Sequence, residues 1–110
     1  MTSTVTTSGK LHILALQGEI DMHSSPAVRQ VILDLVKKKV PLAVDLSQVK
    51  YMDSSGVATL VEGLQNSKKL GQGFVLMSPV GSVLGVIKLA RLDKVFRIVT
   101  NVSECADLAL

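Results

Sequence analysis

The chain has no tryptophan and only three aromatic residues, Tyr51, Phe74 and Phe96, in 110 positions. A core built from it has to be aliphatic. Stacking of bases on aromatic rings, the usual platform for single-stranded nucleic acid, has almost nothing to work with here. Direct nucleic-acid binding is therefore not expected. Cysteine is as scarce: Cys105 stands alone, so no intramolecular disulfide can form, which fits a reducing, cytoplasmic setting. It falls in an apolar helical pattern without a nearby histidine, which reads as a buried structural thiol rather than a nucleophile or ligand. His12 and His23 have no metal-ligand spacing to anything. No apolar run approaches the about 18 residues a membrane helix needs. Residues 1–8 are polar and lack the basic start and apolar stretch of a secretory signal. Membrane insertion is not expected either.

Enzyme motifs are also missing. There is no GxxxxGK[ST] loop and no GxGxxG after a strand. Gly71-Gln72-Gly73 comes after a helix and before a strand, the wrong order for cradling a phosphate. No HExxH, CxxC, EF-hand loop or GxSxG elbow is present. A Ser–His–Asp set could be assembled on paper from Ser54, His23 and Asp21, but sequence lends it no geometric support.

What is present is a chain of one-domain length with 47% hydrophobic and 19% charged residues, enough to fold around one modest core. Its 12 Lys and Arg against 9 Asp and Glu give +3, a mild excess. Lys37-Lys38-Lys39 is the only basic run. It reads as a solvated helix end, where cations suit the negative pole, ahead of a membrane or phosphate-binding patch.

Periodicity orders the rest. Residues 4–7 are β-branched and read as a first strand, and Ser8-Gly9-Lys10 as a tight turn. Residues 11–17 read as a central strand covered on both faces, so the first two strands form a hairpin. Residues 18–23 read as an irregular connection. Ser25-Pro26 reads as a helix cap followed by proline, with Val28, Val31, Ile32, Leu35 and Val36 as one apolar helical face and Val40-Pro41 as its stop. Residues 42–46 are a strand and residues 47–52 a loop. A second helix starts near Asp53-Ser54-Ser55-Gly56, turns Val57, Leu60, Val61 and Leu64 inward, and stops at Gly71. Residues 74–77 form a short buried strand, and Ser78-Pro79 repeats the cap-and-proline start before Val80, Val83, Leu84 and Ile87. Residues 95–99 are the last strand. A short final helix carries Val102, Cys105, Ala106 and Ala109, capped by Thr100 or Asn101. The order ββαβαβαβα predicts a single α/β domain over residues 1–110 with a mixed sheet.

A polar cluster remains on two loops of this aliphatic frame. One runs Glu19-Ile20-Asp21-Met22-His23-Ser24-Ser25, the other Tyr51-Met52-Asp53-Ser54-Ser55-Gly56. Both leave the carboxyl ends of strands, the edge where open α/β sheets carry function. Two readings of the serines are compatible. Asp53, Ser54 or Ser55 caps the second helix. Alternatively, a serine there accepts a phosphate, whose roughly −1.5 to −2 charges a helix N-terminus tolerates but a docked partner does not.

These residues resemble a known family. Gly18-Glu19-Ile20-Asp21, Val44-Asp45-Leu46-Ser47, Tyr51-Met52-Asp53-Ser54-Ser55-Gly56-Val57, Ser78-Pro79 and Leu89-Ala90-Arg91-Leu92-Asp93-Lys94-Val95-Phe96, in that order, are similar to the STAS family of anti-sigma factor antagonists and their relatives. The resemblance implies a two-layer fold with a mixed sheet and no enzymatic activity. It also implies partner switching: the protein binds an anti-sigma factor that is also a serine kinase, is switched off by phosphorylation of Ser54 (Ser55 being the second choice), and is restored by a serine phosphatase. ATP belongs to the kinase, so no cofactor is expected. Asp21, Met22, His23, Ser24, Asp53, Ser54, Ser55 and Gly56 are the residues it marks for partner and kinase recognition. The resemblance leaves a second role open, a STAS subunit gripping the ATPase of a membrane lipid-transport ABC complex. Two departures stand out. The small-residue pattern after the serines is Gly56-Val57-Ala58 where the family often has Gly-Leu-Gly, and the short lead into the second strand implies a truncated first strand.

Overall fold

The computed structural model describes residues 2–109. A hairpin of β1 (Thr2–Ser8) and β2 (Leu11–Ile20) opens the chain, closed by Gly9 at φ +60°. Then follow α1 (Ser25–Lys37), β3 (Leu42–Met52), α2 (Ser54–Lys69), β4 (Phe74–Met77), α3 (Gly81–Leu89), β5 (Arg97–Val99) and α4 (Ala106–Ala109). The strands lie in the order β1-β2-β3-β4-β5. Only β1 is antiparallel to its neighbour, and the other pairings are parallel. The ββαβαβαβα order and the mixed α/β sheet expected from the sequence are both found.

Three helices cover one face of the sheet. Leu14, Leu16 and Ile20 of β2 and Leu42, Val44 and Leu46 of β3 meet Val28, Ile32 and Leu35 of α1, Leu60 and Leu64 of α2, and Val83 and Ile87 of α3. Alternate residues Leu11, Ala43, Val75 and Val99 point the other way, where Cys105, Val102 and Leu108 of the C-terminal segment cover them. That second cover spans the short β4 and β5 but reaches only the beginning of the longer β2 and β3, so β2 is doubly covered at Leu11 but leaves Gln17 exposed.

β2 and β3 are longer than the sequence suggested. Residues 47–52, expected as a loop, continue β3, and residues 18–20 continue β2. The cause is a pair of bulges. While β2 advances from Ala15 to Gln17, β3 advances from Asp45 to Gln48, and the slip recurs between Gly18/Val49 and Glu19/Tyr51. Each bulge adds one residue to β3. Its inward residues Leu46, Val49 and Met52 are thus three apart, and the two-residue period of a strand is broken. The first strand is not truncated, since β1 has seven residues.

Caps differ as well. Ser25 is not the α1 cap but its first residue, and buried; Ser24 takes the cap position without a side-chain cap bond. Ser78 does not cap α3, whose cap position falls on Val80. Its hydroxyl bonds the Thr100 carbonyl instead. The last strand shortens to Arg97–Val99 because Leu92–Lys94 forms a 3-10 turn, and the Val95 and Phe96 amides bond the Leu92 carbonyl at 3.0 and 2.8 Å. Asn101 does cap the final segment, in a reciprocal box with Glu104. That segment starts as a 3-10 turn over Val102–Cys105.

Candidate functional site

α1 and α2 both follow strands that run parallel, so their N-termini emerge on one edge of the sheet. The two polar loops meet there. The Asp53 amide donates to the Ile20 carbonyl at 3.2 Å, which ties the start of α2 to the end of β2. Gly56 makes this approach possible. A Cβ at that position would lie 2.5 Å from Met52 Cγ and 2.8 Å from Ile20 Cγ2.

Asp53 is the α2 cap. Its Oδ1 accepts the amides of Ser55 at 2.9 Å and Gly56 at 3.3 Å, and the Ser55 hydroxyl at 2.5 Å. Asp21 organises the facing turn: its Oδ1 accepts the amides of His23 and Ser24 at 3.0 and 3.1 Å. The Ser24 hydroxyl accepts the Asp21 amide at 3.0 Å and donates to the Glu19 carbonyl at 2.8 Å.

Both carboxyls sit below the ordinary aspartate range. For Asp21 the main cause is the Ser24 amide. For Asp53 it is the Ser55 hydroxyl, against which the nearby Asp21 charge works. At neutral pH the edge therefore carries two ionised carboxylates close enough to repel.

The two serines differ in their commitments. Ser55 is half-buried. Its hydroxyl lies between Asp53 Oδ1 and the Ser25 hydroxyl, 2.7 Å away, while Ser25 Oγ also stands 2.6 Å from the Asp21 carbonyl. Ser54, the first residue of α2, is exposed. Its hydroxyl has no hydrogen-bond partner among the described residues. Of the capping candidates, Asp53 performs the capping, which leaves Ser54 unused by the fold.

The sequence-marked residues Asp21, Ser24, Asp53, Ser55 and Gly56 converge on this edge. Met22 is 75% exposed beside it, and His23 is exposed on the same turn. The sequence reading missed Ser25 as the bridge between the turns. It also missed an open groove of about 600 Å³ between the helix starts, where Met22, Pro26, Arg29, Gln30, Ala58 and Thr59 meet Ser25 and Ser55. Ala58 and Thr59 stand three and four residues beyond Ser55, on the same helical face, a spacing that could have signalled the groove. No group of three or more His, Cys, Asp or Glu suited to a metal occurs among the described residues. No described helix is long and apolar enough to cross a membrane.

Comparison with known proteins places the chain in a wider set. The family model of the STAS domain matches residues 2–105. A curated relative from Bacillus subtilis, named anti-sigma-B factor antagonist, is 36% identical over 56 residues, an alignment that spans 51% of each chain. One from Mycobacterium tuberculosis, named anti-sigma-F factor antagonist RsfB, is 29% identical over 94% of this chain and 85% of its own. Among solved structures, an anti-sigma factor antagonist from Mycobacterium paratuberculosis superposes with a TM-score of 0.87 at 28% identity, covering 96% of this chain and 91% of that one.

Proposed function

The chain belongs to the STAS domain family, and from that premise we propose that it is an anti-sigma factor antagonist switched by phosphorylation of Ser54. The observation that carries the choice of residue is the contrast at the helix start. Ser54 is exposed and uncommitted, whereas the Ser55 hydroxyl is held by Asp53 and Ser25. A kinase can reach the first without breaking the cap.

The unmodified hydroxyl is small and neutral, so a partner can bury it. The anti-sigma factor docks on the edge formed by Asp21, Met22, His23 and the α2 start, and extends into the groove between α1 and α2. A phosphate on Ser54 brings about −1.5 to −2 charges. The α2 amides and dipole offset part of that charge in the free protein, so the fold survives. Inside an interface the same dianion would be desolvated beside the ionised Asp21 and Asp53, which is costly without matching cations. Docking is lost and the scaffold is spared. A serine phosphatase reverses the change.

The test is incubation with the cognate anti-sigma factor kinase and ATP, followed by phosphosite mapping. One phosphate on Ser54 is expected, with labelling abolished in Ser54→Ala and kept in Ser55→Ala. Ser54→Asp should weaken partner binding at least tenfold with an unchanged fold. Equal binding by Ser54→Asp and the unmodified protein would defeat the charge switch.

A further inference from the structure

The end of the molecule opposite Ser54 has a distinct chemistry. α1 and α2 run side by side in the same direction, so their C-termini emerge together. Sixteen residues of α2 put that end roughly 22 Å from Ser54 along the helix axis. Lys37, Lys38 and Lys39 leave α1 there, and Lys68 and Lys69 close α2. All five are exposed, and none joins an ion pair among the described residues.

These five lysines decide the sign of the whole chain. The other seven Lys and Arg stand against nine Asp and Glu, so the rest of the sequence is net −2 while the chain is +3. Complementing the helix dipoles does not require so many. Two helix C-termini present about −0.5 charge each and Asp34, one turn before Lys38, adds another negative charge, which leaves a positive excess of about +3.

Two of the lysines border an apolar depression. Leu33, Val36 and Leu70 line a groove of about 280 Å³ between the helices, with Lys37 and Lys69 at its rim. The ion pair of Arg29 with Glu62 borders the same groove and also reaches the groove beside Ser55 through Arg29, so it stands between the two. Leu70 keeps 39% of its surface exposed beside the lysines. The volume is below the roughly 300–1,000 Å³ of small-molecule sites, but it suits one bulky side chain.

We propose that this end is a second docking surface, for an acidic protein segment that seats one bulky apolar side chain against Leu33, Val36 and Leu70 while its carboxylates meet Lys37 and Lys69. The surface lies away from the phosphorylation edge, so it does not depend on the switch and can be occupied in either phosphorylation state. A bare lipid surface is the poorer fit, because it would use the lysines and leave the groove empty.

The test is selection of a displayed library of random twelve-residue peptides against the full chain, with phosphatidylglycerol vesicles as a separate arm. Enriched peptides should carry several carboxylates around one leucine, isoleucine or phenylalanine. They should perturb the amide resonances of Leu33, Val36 and Leu70, and lose at least tenfold in affinity against Lys37→Glu/Lys69→Glu. Replacing the apolar peptide residue by serine should cause a comparable loss. Selection without an acidic consensus, or binding indifferent to the charge reversal, overturns the proposal. So does retention on vesicles when no peptide is selected. Because none of these readouts involves Ser54, failure here leaves the phosphorylation switch standing, and the reverse also holds.

Discussion

The hydroxyl oxygens of Ser25 and Ser55 lie 2.7 Å apart although thirty residues separate them in the chain. This contact joins the first turn of α1 to the first turn of α2. Ser25 Oγ also reaches the Asp21 carbonyl, and Ser55 Oγ reaches Asp53. Two hydroxyls supply two protons for three short oxygen–oxygen contacts. One contact is always without its proton, so the bonds compete within a single network.

That competition predicts non-additive mutations. Ser25→Ala frees Ser55 to bond Asp53 without rivalry, and Ser55→Ala frees Ser25 to bond the Asp21 carbonyl. Each single change should cost about 0.5–1.5 kcal/mol, the net worth of an ordinary hydrogen bond. The double variant should cost more than the sum of the two, because each single change is partly offset by relief of the contact that lacks a proton and the double variant gains that relief only once. Urea unfolding of the four proteins measures the difference, and strict additivity would show that the two serines act separately.

Asp53 predicts a pH dependence. Its carboxyl is lowered in the folded protein, chiefly by the Ser55 hydroxyl. A carboxylate lowered on folding stabilises above its unfolded value, near pH 3.9, and that contribution disappears as pH falls through the folded value. Asp21 acts in the same direction, with the Ser24 amide as its main cause. Melting temperature should therefore fall on acidification below about pH 4, and Asp53→Asn should flatten that part of the profile. At neutral pH, Asp53→Ala removes a helix cap and should lower the melting temperature by roughly 4–8 °C. Circular dichroism melts across pH check both.

Two helical glycines predict opposite outcomes for one substitution. Gly63 of α2 packs where a Cβ would lie 2.8 Å from Ile32 Cγ2 and 2.9 Å from Phe74 Cε2. Gly63→Ala should overfill the α1–α2–β4 junction and destabilise by about 1–3 kcal/mol, more than the roughly 1 kcal/mol that alanine gains in a helix. At Gly85 of α3 an added methyl would meet nothing within 4 Å, so Gly85→Ala should stabilise by up to about 1 kcal/mol. Chemical denaturation of the pair isolates packing from propensity.

The legible parts of the sequence were those where one period holds. Val28, Ile32, Leu35 and Val36 keep helical spacing and all are buried in α1. Leu42, Ala43 and Val44 form an unbroken apolar run at the start of β3 and all are buried. The end of β3 was not legible, because two bulges moved Val49 and Met52 out of step with Leu46. At the site, Asp53 announced a cap by residue type and position. Ser25 announced a cap that falls instead on Ser24, and gave no sign of its bridge between the helices. Its partner Ser55 lies on another helix, and only the parallel packing of α1 and α2 brings the two hydroxyls together. Charge segregation was half visible. The run Lys37–Lys39 stood out, but its convergence with Lys68 and Lys69 depends on both helices ending at the same edge.

Cys105 supplies a probe of the C-terminal cover. Its side chain is fully buried against Leu11, Ala43, Val75 and Val99, and burial pushes the thiol above its ordinary value, with the nearby Arg97 opposing. A thiol that is both inaccessible and protonated reacts slowly, because the thiolate is the nucleophile. Modification must await release of the segment from the sheet. Arg97 holds that segment by bonding Asp107 at 2.9 and 3.0 Å and the Glu104 carbonyl at 2.7 Å. Native protein at pH 8 should therefore resist a thiol reagent, and full reactivity should appear in denaturant. Arg97→Ala should raise the native labelling rate at least tenfold with little change in the urea midpoint, since the segment can then open locally while the sheet stays folded. If labelling and global unfolding instead rise together in Arg97→Ala, the C-terminal cover opens only with the whole domain.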